Sequence, residues 1–419
     1  MAFAMKREKK MRKAALGVFA ALCAMPSAVS AGDFGENCCA DLEERIAELE
    51  ATTAQKGNRK VSLTFSGWVG NQLTYWNDGF EKNAYVTGLG TALASRIRFV
   101  GEAAIRPGWT AGYVMHIELI DSDSLTTSQD RPVGPGLLSG VARSVQAYES
   151  YWFIKSDDLG KLSVGLQSPP SDNGVVLIDA SGTLIPANWI ISGAFSFKIR
   201  NADGGFVMNG GVPLIWGSTG ACYPGDCLGV PFEIVRYDSP VWGGLSFSGS
   251  WGEDDIWDIG FRYSGEHAGF NIGVAMFYGN DHDEFQGAAL TDADYYQVGA
   301  YVQHVGTGIF GLVNYGKITD EARDQAGLNP DVWYLKGGIR RNWVSLGATV
   351  PYAEYMLSEE GVSQSSKFQL WGAGLVQEID AAAMTTFIKY RQYSFSDEVL
   401  CANVCKDLDE LSVGAVVLF

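Results

Sequence analysis

The chain has too little positive charge and too few long apolar runs for two large classes of protein. It carries 31 Lys and Arg against 48 Asp and Glu, a formal net charge of −17. This balance argues against nucleic acid as a partner, because phosphate binding needs a basic surface. Beyond the N-terminal segment, no stretch approaches the roughly eighteen consecutive apolar residues of a membrane-spanning helix. If the protein crosses a membrane, strands must do it.

Motifs of catalysis and metal binding are also missing from the sequence. The chain has 4 His, and neither a catalytic-triad spacing nor an H-E-x-x-H helix occurs. A Ser–His pair on a barrel wall would need His116, which has no supporting motif. The segment "NDHDE", Asn280 to Glu284, could offer oxygen ligands to calcium, although a solvated loop tip is the simpler interpretation. We therefore predict no enzymatic activity, no cofactor and no metal site.

The N-terminus has the parts of a secretory signal. Six bases lie between Lys6 and Lys13, the short apolar run "AALGVFAALCAM" follows, and "SAVSA" has small residues at Val29 and Ala31. This pattern predicts a signal peptide over residues 1–31 and an exported mature chain. That mature chain retains 25 basic and 47 acidic residues, a net charge of −22.

A short helix is predicted to follow the signal, over residues 32–58. In "CCADLEERIAELEATTAQ", the apolar residues Leu42, Ile46 and Leu49 have the four-then-three spacing of a coiled coil. Two heptads are marginal alone, so this periplasmic helix needs helices of its own kind, or a surface, to pack against.

The six cysteines of the mature chain fall in three close pairs. In an exported protein such pairs favour local disulfides that pin loops, and a zinc site fits the spacings poorly. Adjacent Cys38 and Cys39 could bridge only with strain, so their state stays open. The predicted disulfides are Cys222–Cys227 and Cys401–Cys405.

From Lys60 onward the hydrophobic period is two, as in "VSLTFSGWVG", where apolar and polar residues alternate. Short connections such as "PG" at Pro107 alternate with mostly longer ones near 77–90, 121–141, 168–230, 280–292, 319–330 and 396–407. This alternation is typical of a meandering barrel with tight turns at one end and loops at the other. The sixteen predicted strands lie near 60–76, 91–106, 109–120, 142–155, 160–167, 231–239, 242–250, 256–265, 269–279, 293–304, 307–318, 331–341, 343–357, 366–380, 382–395 and 408–419.

The last nine residues, "LSVGAVVLF", indicate how the strands are oriented. Leu411, Val413, Val417 and Phe419 share one parity and form a continuous apolar face. A sixteen-stranded barrel is too wide for side chains to fill, so the apolar parity must face lipid and the polar parity must face water. The fold predicted for residues 59–419 is thus an all-β, sixteen-stranded antiparallel transmembrane β-barrel, preceded by the short N-terminal helix.

Several segments resemble a known family. "SRIRFVGEA" and "VRYDSP" are similar to the second-strand and mid-barrel motifs of general diffusion porins of Gram-negative bacteria, and the stretch from "CCADLEERIAELE" to "SGWVG" resembles alphaproteobacterial porins. The resemblance implies a homotrimer, a third loop folded into the lumen, and a terminal Phe419 read by the outer-membrane assembly machinery. The chain departs from the family at Gln167, where a base is usual.

The 168–230 connection is too long for a surface loop without a role. Its acids Asp172 and Asp179 are predicted to face a basic wall across the lumen, since such an arrangement selects ions by charge. The alternative is that the wall bases are scattered lumen charges with no common site. The predicted basic wall consists of Arg96, Arg98, Arg236, Lys336, Arg340, Lys389 and Arg391.

These features predict a passive, water-filled channel for small hydrophilic solutes, surrounded by outer-membrane lipid. Two alternatives remain. The protein could be a substrate-selective porin, or a mainly structural protein whose N-terminal coiled coil tethers the outer membrane.

Overall fold

The computed structural model describes residues 61–90, 93–120, 124–132, 144–188, 193–252, 255–286, 289–401 and 405–419. The predicted signal peptide and coiled-coil segment, with Cys38 and Cys39, lie outside these residues. No helix within the described part of the chain is long and apolar enough to cross a membrane.

Sixteen antiparallel wall strands form one closed barrel. Each strand pairs with the next along the chain, and the first also pairs with the last, with Val69 opposite Val417. At this seam Gly67 and Phe419 exchange backbone hydrogen bonds of 3.0 and 3.1 Å, so the final residue helps to close the barrel. The wall strands β1 to β16 are Ser62–Asn77, Ser95–Arg106, Trp109–Ile120, Ser144–Ser156, Gly160–Gln167, Phe232–Asp238, Leu245–Gly252, Trp257–His267, Phe270–Gln286, Ala289–His304, Ile309–Asp320, Asp331–Ile339, Gly347–Glu359, Lys367–Ile379, Met384–Ser396 and Leu408–Leu418.

The predicted orientation of the two faces is confirmed on β16. Val413 and Phe419 are 49% and 46% exposed on the outer surface, whereas Glu410 and Ser412 are buried in the interior. The same alternation holds on β1, where Leu73 points outward and Gln72 inward. Because the outward residues are apolar and the inward ones polar, the barrel is turned inside out relative to a soluble one.

A band of aromatic side chains lies on the outer surface between β8 and β15. Neighbouring rings touch across strands: Tyr278 and Tyr296 have ring centroids 5.1 Å apart, and Trp371 and Tyr390 5.2 Å apart. Aromatic rings with one polar tip prefer the boundary between hydrocarbon and water. The band therefore marks one edge of the membrane-embedded zone.

Three of the predicted connections, 77–90, 168–230 and 280–292, contain strand. In 168–230 it is the short pair Met208–Asn209 and Val212–Pro213. The connection predicted over 280–292 is wrong, because β9 and β10 run on to Gln286 and Ala289 and pair across most of this region. Polar residues dominate here. Backbone pairing continues beyond the lipid-facing zone, and there apolar and polar side chains no longer alternate, so the sequence does not reveal the strand. Likewise Lys82–Gly88 forms a short strand that pairs with the C-terminal half of β1. A second short strand, Arg341–Val344, folds back onto β13.

The long connection between β5 and β6, residues 168–231, folds into the barrel and packs on its inner wall. Val175 and Val176 contact Phe277 of β9 in one small apolar cluster. Further along, Trp216 lies against Phe368 and Tyr393, with ring centroids 6.1 and 6.0 Å away. The hydrophobic core therefore lies between this segment, called the inner loop below, and the wall.

Candidate functional site: the lumen and its inner loop

The inner loop enters the lumen beside two wall arginines. Arg236 of β6 donates from Nη1 to the Ser168 carbonyl at 2.9 Å, while Nη2 contacts Asp238 at 2.7 Å. Arg262 of β8 donates from Nη2 to the Pro170 carbonyl at 2.6 Å. The first residues of the inner loop are thus bound to the wall through their carbonyl oxygens.

A second set of contacts binds the middle of the inner loop. Lys336 of β12 lies 2.5 Å from Asp179, and both side chains are fully buried. Arg340 donates from Nη1 to the Ser181 carbonyl at 3.1 Å and binds Glu378 through both terminal nitrogens, at 2.5 and 2.6 Å. The predicted acid Asp179 therefore meets a predicted base directly, as a buried ion pair.

The π-helical turn Leu184–Asn188 is bound by Arg391 of β15. This guanidinium donates from Nη2 to the carbonyls of Pro186 and Ala187, at 2.8 and 2.9 Å, and from Nε to Glu354 at 2.7 Å. Arg391 is fully buried. A buried guanidinium needs partners for its donors, and here a carboxylate and the inner loop supply them.

Lys389, two residues before Arg391 on the same face of β15, is also buried beside an acid. Its Nζ lies 3.3 Å from Glu410 of β16. The same carboxylate accepts hydrogen bonds from Tyr393 at 2.6 Å and from Ser412 at 2.7 Å. The charge of Lys389 is thus neutralised within the wall.

Arg96 and Arg98 of β2 lie in a cluster formed by β2 to β4. Arg96 stacks over the Trp68 ring at 3.2 Å and lies 3.8 Å from Glu118. Arg98 lies 3.5 Å from Glu149 and, at 37% exposure of its side chain, is the more accessible to water. His116 lies within 3.9 Å of both carboxylates.

Two buried carboxyl groups of the inner loop lie close enough to interact. Asp172 is 3% exposed, and Asp226, in the turn closed by Cys222–Cys227, is 6% exposed. Burial raises the pKa of Asp226 to about 7. Burial, and then the charge of Asp226, raise the pKa of Asp172 well above its usual range. Both carboxyl groups therefore keep their protons to a higher pH than an exposed aspartate would.

Both predicted disulfides are present. Cys222–Cys227 packs so closely on β11 that a Cβ at Gly316 would lie 2.7 Å from the Cys222 Cβ. Cys401–Cys405 lies in the last loop, next to Lys406, whose backbone nitrogen donates to the Arg200 carbonyl at 2.8 Å. Cys222–Cys227 therefore closes a turn of the inner loop itself, whereas Cys401–Cys405 holds a loop that contacts it.

The outer part of the inner loop is bound to other loops. Arg200 donates from Nε to Asp78 at 2.9 Å, and Gln129 donates to the same carboxylate at 3.2 Å. Gln129 also donates to the Lys198 carbonyl at 2.7 Å. Burial opposes ionisation of Asp78, but these hydrogen bonds, with those from two backbone N–H groups, leave its pKa below its usual range.

The sequence-predicted site residues divide into two groups in the structure. Arg236, Arg340 and Arg391 contact carbonyls of the inner loop, and Lys336 contacts Asp179, whereas Arg96, Arg98 and Lys389 pair with wall acids. Sequence reasoning missed Arg262 and every wall carboxylate. A register argument could have found some of the acids, since directly opposed pairs on neighbouring strands are Lys336–Glu354, Arg391–Glu410 and Arg96–Glu118.

Gln167, which stands where the family usually has a base, is hydrogen-bonded within the wall. Its side chain is buried, accepts a hydrogen bond from Ser163 at 2.6 Å and donates to the Ile234 carbonyl at 3.3 Å. A charge at this position would lack those matched partners. Within the described part of the chain, no three or more potential metal-ligating side chains are grouped together.

A closed sixteen-stranded barrel with an apolar exterior, a polar interior and a loop folded into its lumen defines a porin-type channel of the outer membrane. A family model of Gram-negative porins matches residues 18–398. The chain belongs to this family and is an outer-membrane porin.

Solved structures share the fold at low sequence identity. An anion-selective porin from Comamonas acidovorans is 16% identical, with a TM-score of 0.58 over 86% of this chain and 100% of its own. OmpT of Vibrio cholerae in its trimer form is 12% identical, with a TM-score of 0.52 over 86% and 99%. Salmonella typhi OmpF, in complex with daunomycin, is 13% identical, with a TM-score of 0.51 over 87% and 99%. No curated protein sequence matches the chain.

Proposed function

We propose that the channel conducts small hydrophilic solutes and ions passively, with weak charge selectivity and without enzymatic activity. The observation that carries this proposal is the charge balance of the lumen. Each of the seven predicted wall bases has a carboxylate within 4.0 Å. A wall whose bases are paired with acids presents little net charge to a passing ion, so neither sign is strongly favoured.

The proposed preference is for cations. The mature chain carries 25 basic and 47 acidic residues, hence −22, and the pairing leaves little basic charge to oppose that excess. Exposed charges are screened beyond ~8–10 Å at physiological salt, so the preference should weaken as salt rises. Arg98, half-open to water, keeps anions from full exclusion.

Reconstitution of the purified protein in a planar bilayer tests this proposal. A passive channel gives discrete steps whose conductance rises with salt, and a small cation-favouring reversal potential in a salt gradient. A substrate-selective porin would be blocked by its solute at low concentration. A mainly structural tether would give no steps, and that result would refute the channel.

We also propose a homotrimer, exported by the signal peptide of residues 1–31 and assembled through Phe419 by the outer-membrane machinery. The V. cholerae OmpT structure is described as a trimer form, which supports the oligomer by analogy of fold alone. The helix proposed for residues 32–58 would stack with its copies on the periplasmic side. Chemical cross-linking of the intact protein in membranes, read as monomer, dimer and trimer bands, tests the stoichiometry.

A further inference from the structure

Four wall arginines share one arrangement. Each donates from a terminal guanidinium nitrogen to a backbone carbonyl of the inner loop between residues 168 and 187. The pairs are Arg236 with Ser168, Arg262 with Pro170, Arg340 with Ser181, and Arg391 with Pro186 and Ala187.

This stretch of the inner loop needs external donors. Pro169, Pro170 and Pro186 have no backbone N–H, and most of the stretch lacks the regular pairing that would satisfy its carbonyls. Buried carbonyls require partners. The guanidinium fork supplies them while a second nitrogen binds a wall side chain. Arg391 binds Glu354 at 2.7 Å in this way, and Arg262 donates from Nη1 to the Ser248 hydroxyl at 3.4 Å. Lysine places all its donors on one atom, so it lacks the spread of the fork that reaches both partners.

We infer that Arg236, Arg262, Arg340 and Arg391 act as clamps that position the inner loop and so set the open width of the pore, rather than as charges that select ions. In the same order, they lie on β6, on β8, at the end of β12 and on β15. They therefore fix the inner loop at points spread around much of the barrel. Their own charges are directed into the contact between inner loop and wall. The inference rests on the channel function proposed above.

Charge-conserving substitution separates the two roles. In Arg262→Lys and Arg391→Lys the positive charge stays but the fork is lost. We expect each variant to show altered single-channel conductance, on the order of twofold if the inner loop withdraws from the lumen, with added current noise. The reversal potential should stay at the wild-type value, because the charge is conserved.

Arg341→Lys is the matched control. Arg341 is exposed and also donates to backbone carbonyls, but those belong to the turn at Gly306 and Thr307 outside the lumen. Trypsin cleavage after Lys198 or Arg200 gives a second readout of inner-loop position. This cleavage should be faster in the clamp variants and unchanged in the control.

Folding of each variant is checked first by heat-modifiable electrophoretic mobility. If Arg391→Lys does not assemble, Arg262→Lys, at the edge of the contact between inner loop and wall, tests the inference alone. Wild-type conductance, noise and trypsin resistance in folded clamp variants would overturn the inference while leaving the channel function intact. A shifted reversal potential with unchanged conductance would also overturn it, because ion preference would then have changed without any change in the open width of the pore. Failure of the wild-type protein to conduct would instead refute the proposed function.

Discussion

The carboxyl pair Asp172–Asp226 makes the seating of the inner loop depend on pH. A carboxyl whose pKa is raised in the seated state binds its proton more tightly there than in water. The seated inner loop is therefore most stable at low pH, and loses stability as pH rises from about 4 to about 7, where Asp226 ionises. Asp172, whose pKa is also raised, extends the loss of stability toward higher pH.

The magnitude follows from the shift. At about 1.4 kcal/mol per pH unit, moving the pKa of Asp226 from 3.8 to about 7 corresponds to about 4 kcal/mol. Asp172 adds to this loss. Its ionisation is opposed by burial, by Asp226 and by Glu149, and is favoured less strongly by a hydrogen bond with Ser168 and by Arg236. Tyr148 also faces Asp172. The total is comparable to the free energy of several hydrogen bonds, so it can change how firmly the inner loop is held.

Asp226→Asn tests this account, because it keeps the shape of the side chain and removes its titration. Protection of the inner loop from trypsin is measured from about pH 4 to about pH 8, with trypsin activity normalised against an unfolded substrate. Protection should decline with rising pH in the wild type and change less with pH in the variant. At neutral pH the variant should be the better protected. Asp203→Asn, on the exposed hairpin of the same segment, is the control. If Asp226→Asn follows the wild-type profile, the carboxyl pair does not govern the seating.

Three further predictions concern assembly, selectivity and the turn that holds Asp226. Phe419→Asp should lower the outer-membrane level of heat-modifiable protein, because a charge would stand at the end of the lipid-facing row on β16; normal levels would contradict the role of the terminal residue. Arg96→Ser with Arg98→Ser should strengthen cation preference in a salt gradient, since Glu118 and Glu149 lose their bases; clear anion selectivity in the wild type would mean that the bases, not the acids, control the pore. Cys222→Ser with Cys227→Ser should increase trypsin cleavage of the inner loop, because the disulfide fixes the turn against Gly316; unchanged cleavage would show that packing alone holds the turn.

The barrel could be predicted from sequence because its physics is local. A strand with lipid on one side and water on the other must alternate, as Leu411, Val413 and Val417 alternate with Glu410 and Ser412, and that pattern identified all sixteen wall strands. The pattern fails where both faces are wet. Beyond Asn280 on β9 the alternation is lost although backbone pairing continues, so a loop was predicted where strand is found.

The site could be predicted only in part, because its contacts join residues distant in sequence. The length of the 168–230 segment indicated a folded role, and parity identified seven bases that point inward. Neither observation states what those bases touch. That Arg391 reaches the Pro186 carbonyl, 205 positions away, depends on the path of an irregular segment, which has no periodicity to read. Arg262, by contrast, could have been found, because it lies in the predicted strand 256–265 on the same parity as the buried Asp258.

The pairing of bases with acids explains how the inner loop can cover a charged wall at all. A buried base without a partner is costly, and its removal from water is compensated only by good geometry with an acid. Under the inner loop, Lys336 has Asp179 and Arg391 has Glu354, each at hydrogen-bond distance. On the inference made above, these charges hold the inner loop on the wall rather than filter ions. Selection must then depend on the part of the lumen that water still reaches, where Arg98 and Glu149 stand 3.5 Å apart with both side chains partly exposed, and where a change of one charge alters what a passing ion meets.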